Sequence, residues 1–198
     1  MPGRKETGGA GAIGRQVALQ FAVIGVSRLQ FIDFDSVEAT NVTTQGYRAE
    51  EIGMSKVMAT ALEVERIDPT IEIDHVTDRF RPKQEIGSIV FCCVDSISAR
   101  AAIWRHICNK VDLWIDGRML GEVIRVLTAS DAGSAGHYGS TLFNQSDAER
   151  GSCTSKATIY TAAIAAGLMT HQLTRWLRNL PLDCDATCNL LAGELVVH

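Results

Sequence analysis

Apolar side chains at Ile13, Val17, Phe21 and Ile24 recur one helical turn apart and Gly25 follows them as a stop, which predicts a helix over Ala12–Ile24. Residues 29–33 then read as a strand. The stretch 36–53 is polar, with scattered Thr, Asn and Gln, and is expected to be an ordered loop at a ligand edge. A second helix begins near Met54, with Val57, Met58, Ala61, Leu62 and Glu65 sharing its face, and Pro69 ends it after Asp68. Residues 71–76 alternate as a strand. The run Ile89-Val90-Phe91-Cys92-Cys93-Val94 is continuously apolar, the pattern of a parallel strand buried on both faces, and it stops at Asp95. Ser96 caps the next helix, which carries Ile97, Ala101, Trp104 and Cys108 on one side. Beyond it the alternation of strand and helix gives way to a hairpin pattern at 113–116 and 123–127, then a Gly/Ser/His-rich stretch at 130–140. A long helix at 156–178 and one or two closing strands within 188–197 complete the reading.

The pattern gives one domain over residues 1–198, with no internal repeat, linker or low-complexity segment to divide it. The stretch before the glycine run, Met1 to Thr7, shows no strand character, so the first strand is expected to be degenerate or cut short. The apolar segment 157–177 is interrupted by His171, Gln172, Thr174 and Arg175, which favours a buried or dimer-facing helix over a membrane span. A net charge of −4 with no Lys/Arg stripe argues against a nucleic-acid partner. Six cysteines in 198 residues, without an apolar leader after Met1, suit a reducing cytoplasm.

Chemistry concentrates at the start. Gly9-x-Gly11-x-x-Gly14 opens the first helix, and Asp33 and Asp35 follow nineteen and twenty-one residues after Gly14. Glycines at these positions provide a tight turn, close approach to phosphates and contact between helix and strand, while Asp33 lies where a carboxylate accepts from a ribose hydroxyl. That much indicates a nucleotide without naming it. Asp95, at the end of a buried strand, is a hard oxygen ligand suited to a divalent cation, with a helix N-cap as its purely structural alternative. Lys56 is a candidate phosphate cation, with a solvated helix face as its alternative.

In order, the chain carries Gly9-x-Gly11-x-x-Gly14, Phe31-Ile32-Asp33-Phe34-Asp35, Asn41-Val42-Thr43-Thr44-Gln45, Ile52-Gly53-x-x-Lys56, Val94-Asp95-Ser96 and Ala99-Arg100. This string, spanning roughly residues 8–178, resembles the ThiF, MoeB and HesA group, prokaryotic relatives of ubiquitin-activating enzymes. The resemblance implies an α/β fold with a Rossmann-like, doubly wound, mostly parallel sheet and an antiparallel C-terminal extension. It also implies binding of ATP and magnesium, adenylation of the C-terminal carboxylate of a small ubiquitin-like or sulfur-carrier protein, and a homodimer. Under it the ATP site comprises Gly9, Gly11, Ala12, Gly14, Asp33, Asp35, Asn41, Gln45, Arg48 and Lys56. Asp33 holds the ribose, Lys56 meets the phosphates, and Asp95, assisted by Asp35, carries the magnesium.

Thr44 stands where the family's Asn-x-x-Arg-Gln string has arginine, so Arg48 or Arg15 would have to substitute, and no N-terminal arginine for a neighbouring subunit is evident. Cys153, in Gly151-Ser152-Cys153-Thr154 just before the long helix, is the candidate nucleophile for a thioester or persulfide, because a helix N-terminus favours thiolate; a capping or partly buried thiol is the alternative. Cys92, Cys93 and Cys108 read as packing residues. Cys184-x-x-x-Cys188 has no earlier Cys pair to complete a zinc site. Two other functions stay open: an NAD-dependent oxidoreductase, which lacks a Tyr-x-x-x-Lys or convergent His pair for proton handling, and a non-catalytic family member that binds a partner protein.

Overall fold

The computed structural model describes residues 6–144 and 158–198. Its elements are β1 (Glu6–Gly8), α1 (Ala12–Ile24), β2 (Arg28–Ile32), α2 (Ala39–Gln45), α3 (Lys56–Ile67), β3 (Glu72–Val76), β4 (Ile89–Cys92), α4 (Ile97–Ile107), β5 (Leu113–Leu120), β6 (Val123–Ala129), α5 (Ala132–Ser140), α6 (Ile159–Leu177), β7 (Asp185–Asn189) and β8 (Glu194–Val197). They build one eight-stranded sheet in the order β3-β2-β1-β4-β5-β6-β7-β8. Strands β3 to β5 of that order are parallel, and β6, β7 and β8 each pair antiparallel to the strand before. The expected Rossmann-like sheet with an antiparallel extension is therefore the observed one.

The first strand is a degenerate one, as the sequence reading expects. Glu6–Gly8 is a strand, only three residues long, at the centre of the parallel half, paired with β2 on one side and β4 on the other. Two flanking ladders supply its hydrogen bonds, so it needs little apolar character of its own.

Alternation along the inner strands sorts the core into two layers. Ile89 and Phe91 of β4, with Leu113 and Ile115 of β5, pack under α1, α3 and α6, where they meet Ile13, Val17, Phe21, Val57, Val64, Ala165 and Met169. Val90, Cys92 and Trp114 face the other way, toward Ile107 of α4 and Tyr138 of α5. Helix α6 lies close on β5: a Cβ at Gly117 would stand 2.4 Å from the Met169 sulfur. No helix among the described residues is long and apolar enough to cross a membrane.

Two polar stretches are more ordered than the sequence suggests. The expected loop 36–53 contains α2 and a 3-10 turn, Ala49–Glu51. The Gly/Ser/His-rich stretch is helix α5, for which sequence reading predicted no element. Asp131 caps it, its carboxylate accepting from the Ser134 amide at 2.9 Å while the Ser134 hydroxyl accepts from the Asp131 amide at 3.1 Å. Tyr138 then anchors it between Trp104 and Trp114, with ring centroids 4.7 and 5.4 Å away, so tertiary packing overrides glycine's poor helix propensity.

Candidate functional site

The glycine turn joins β1 to α1 at the carboxyl edge of the parallel strands, where doubly wound sheets place ligands. Gly14 is fixed by close approach: a Cβ there would lie 2.0 Å from the Gly9 carbonyl oxygen and 3.4 Å from Cβ of Cys93. Gly11, the N-cap of α1, gives no side-chain cap, and the helix has no acidic residue in its first turn. The first-turn amides, including that of Ala12, are thus left for an anion, at the positive end of the helix dipole.

Asp33, just past β2, ties this turn to the neighbouring strand end. One carboxylate oxygen accepts from the Ala10 amide and the other from the Asp35 amide, both at 3.0 Å. Each oxygen keeps a second lone pair, so the carboxylate can still accept from a ribose. Asp35 passes the chain of contacts onward, holding Lys56 Nζ at 3.0 Å. Lys56 is only 7 % exposed, which sets aside the solvated-face alternative. It occupies the first position of α3, where the helix dipole opposes a cation, and Asp35 offsets that cost.

Tyr47 is the part of the site that sequence reading missed. Its hydroxyl donates to the Ala10 carbonyl and stands 3.2 Å from the Thr60 hydroxyl, clamping the turn to α3, and burial pushes its pKa up to about 12. An aromatic isolated in the polar stretch 36–53 was the available signal.

Arg15 packs on the Tyr47 ring, 4.1 Å from its centroid, and donates to the Gly46 carbonyl at 3.1 Å and to Glu51 at 3.3 Å. It is buried support beneath the turn. Arg48 reaches Glu63 at 2.8 Å on the exposed flank of α3, and Thr44 hydrogen-bonds its own helix at the Thr40 carbonyl. Neither arginine is thereby drawn to the place that Thr44 leaves without a cation. Asn41 is buried with its side-chain oxygen accepting from the Glu38 amide at 2.9 Å, and Gln45 holds a buried side-chain oxygen without a hydrogen-bond partner among the described residues.

At the end of the neighbouring strand, Ser96 performs the capping, its hydroxyl accepting from the Ala99 amide at 3.2 Å. Asp95 is exposed, and no hydrogen bond or ion pair engages it among the described residues. A Cβ at Gly11 would meet the Cys93 carbonyl at 3.8 Å, so the segment leading to Asp95 runs beside the glycine turn. Burial raises the Cys92 and Cys93 thiols, which fits packing roles. Cys153, the candidate nucleophile, lies outside the described residues. Among the described residues no group of three or more His, Cys, Asp or Glu side chains converges as a metal cage.

A second concavity, about 640 Å³ and lined by Thr128, Asp131, His137, Trp176 and Leu180, lies at the opposite end of the sheet, because Thr128 is next to the last residue of β6, which runs antiparallel to β5. The gap beneath the glycine turn holds only about 10 Å³. Volume alone points away from the turn, but the carboxylates, the buried lysine and the open helix terminus gather at the turn, and chemistry decides.

Known proteins resemble the chain in sequence and in fold. The chain is 27 % identical over 130 residues to ubiquitin-like modifier-activating enzyme 5 of Arabidopsis thaliana, a match covering 54 % of this chain and 30 % of that protein. It is 30 % identical over 120 residues to the enzyme of the same name from Bombyx mori, covering 52 % and 30 %. The chain thus matches less than a third of the length of these curated relatives. Among solved structures, PaaA superposes with a TM-score of 0.77 at 18 % identity, covering 98 % of this chain and 72 % of that one. E. coli MccB, solved with ATP, superposes at 0.74 with 14 % identity, covering 98 % and 63 %. These structural likenesses establish the fold. A model of the ThiF family matches residues 8–193, nearly the whole length, and the chain belongs to the ThiF family.

Proposed function

We propose that the chain binds ATP and magnesium at the glycine turn and adenylates the C-terminal carboxylate of a small ubiquitin-like or sulfur-carrier protein, as a cytoplasmic homodimer. The observation that carries this reading is the side-by-side placement of an uncapped helix N-terminus, the Asp33–Asp35–Lys56 chain and the unengaged Asp95 carboxylate. The names of the curated relatives, and the MccB structures with ATP and with MccA, support it.

The residues fit the groups the reaction requires. Gly14 permits a turn that any Cβ would fill, and the α1 amides suit phosphate oxygens. Magnesium usually takes one or two carboxylates and completes its shell with phosphate oxygens and water, so Asp95, with Asp35 assisting, would hold it without a protein cage. When bound, the ion offsets phosphate charge as a Lewis acid. Asp33 would hold the ribose. Lys56, already buried and poised on Asp35, would supply positive charge to the phosphates.

In the reaction a carboxylate oxygen of the carrier attacks the α-phosphorus. The bond from that phosphorus to the bridging oxygen breaks, and pyrophosphate leaves with the electron pair, giving an acyl-adenylate. Two anions must approach, so the protein's part is to position donors and cations that hold the developing charge. Transfer from the adenylate to Cys153, releasing AMP, would follow.

One observation favours a second reading, a non-catalytic carrier-binding member: Thr44 offers no cation, and Arg15 and Arg48 are engaged elsewhere. Pyrophosphate exchange separates the two. The nucleotide itself is tested by calorimetric titration with ATP plus magnesium and with NAD. ATP is expected to bind and NAD not; tight NAD binding without ATP binding would overturn the proposal.

A further inference from the structure

The β4–β5 ladder ends at the pair Cys92 and Asp116. Past it, Cys93 and Val94 lead to Asp95 outside any strand, alongside the glycine turn. Something other than the sheet must fix where Asp95 stands. Arg100, one turn into α4 and 5 % exposed, does this from behind: its guanidinium donates to the Val94 carbonyl, to the Asp116 carboxylate and, at 3.3 Å from each terminal nitrogen, to the Gly117 carbonyl.

The anchor at the far end of this fork is rigid. Asp116 is fully buried in the middle of the sheet, and its other oxygen accepts from Arg118 at 2.8 Å and from the Tyr138 hydroxyl at 3.1 Å. Arg118 is in turn held by the Thr141 carbonyl and hydroxyl, at 3.2 and 3.0 Å. Arg100 therefore continues the β4–β5 connection for two residues beyond the last ladder pair, with a planar fork in place of backbone bonds. Charge at the same place without the fork could not bridge three acceptors in fixed directions.

We propose that Arg100 is a positioning residue for divalent cation binding, acting on Asp95 through the Val94 carbonyl. This rests on the ATP and metal reading above. Partners behind a metal ligand typically alter metal affinity about 10–100-fold when replaced, and that is the size expected here.

The test is Mn²⁺ binding, followed by electron paramagnetic resonance, to the full chain with a non-hydrolysable ATP analogue. Arg100→Lys keeps the charge beside Asp116 but loses the fork, and Arg100→Gln serves as a second variant should the first not fold, with thermal melting as control. Either is expected to weaken Mn²⁺ by about 10–100-fold while analogue binding without metal stays near wild type. Arg118→Gln, which touches Asp116 but not Val94, is expected to leave Mn²⁺ affinity near wild type. The double variant Asp95→Asn/Arg100→Lys should bind Mn²⁺ no more weakly than Asp95→Asn alone. Unchanged affinity in folded Arg100 variants while Asp95→Asn weakens it, or additive losses in the double variant, would overturn the positioning role alone. Unchanged affinity in Asp95→Asn would overturn the metal assignment, and the positioning role with it.

Discussion

The two faces of the sheet are built on different physics. Under α1, α3 and α6 the inner strands meet an almost purely apolar layer, from Ile13 and Phe21 to Leu113, Met169 and Leu173. Under α4 and α5 an aromatic cluster of Trp104, Trp114 and Tyr138 shares the space with a buried Arg100–Asp116–Arg118 network. Apolar burial stabilises in proportion to area and has little direction. Charge-assisted hydrogen bonds are directional, and their desolvation cost makes them a poor route to stability for its own sake. The apolar face thus holds the fold together, while the ionic face determines where the end of β4, and with it Asp95, comes to rest.

Substitutions at matched depth break this comparison open. Asp116→Ala leaves the buried Arg100 and the half-buried Arg118 without their shared carboxylate and is expected to destabilise by about 3–5 kcal/mol in urea unfolding, with affinity for ATP plus magnesium falling as well. Leu113→Ala, fully buried on the apolar face, is expected to cost about 2–5 kcal/mol while a calorimetric ATP titration remains near wild type. If the Leu113 variant lost nucleotide affinity and the folded Asp116 variant kept it, the assignment of roles to the faces would be reversed.

A smaller effect sharpens the same contrast at the antiparallel end. Asp185 is held by Arg125 at 2.8 and 2.6 Å and by His137 at 2.9 Å, and the Arg125 hydrogen bonds, first among these influences, hold its carboxyl below the usual range. Because the folded value is depressed, this stabilisation is complete above the unfolded carboxylate pKa of about 4 and is lost as pH falls through the folded value. Wild type should therefore lose stability as pH falls below about 4 more steeply than Asp185→Asn, as urea unfolding at a series of acidic pH values would reveal. Equal slopes would mean the ion pair contributes nothing in the folded state.

The sequence made the parallel half legible because its signals are local. The 3.6-residue period gave α1 with its observed bounds, Ala12–Ile24, and the run from Ile89 announced a strand buried on both faces. Where tertiary contacts decide, the sequence was opaque. β1 borrows its hydrogen bonds from β2 and β4, and α5, with glycines at 133, 136 and 139, is a helix because Tyr138 packs on Trp104 and Trp114. The site shows the same division. Spacing picked out Asp33, Lys56 and Asp95, but nothing local to Tyr47 indicated that its hydroxyl would secure the Ala10 carbonyl, nor to Arg48 that it would turn to Glu63. Those are contacts across 37 and 15 residues, set by how α2 and α3 pack.

The central claim is that Asp95, free of capping duty, serves nucleotide chemistry. It is tested most directly by exchange of labelled pyrophosphate into ATP in the presence of a small β-grasp carrier ending in Gly-Gly, comparing wild type with Asp95→Asn under a thermal-melting control. Wild type is expected to exchange, and Asp95→Asn to melt as wild type does while exchange falls by roughly 10²–10³-fold. Near-normal exchange by the folded Asp95→Asn protein would contradict the account.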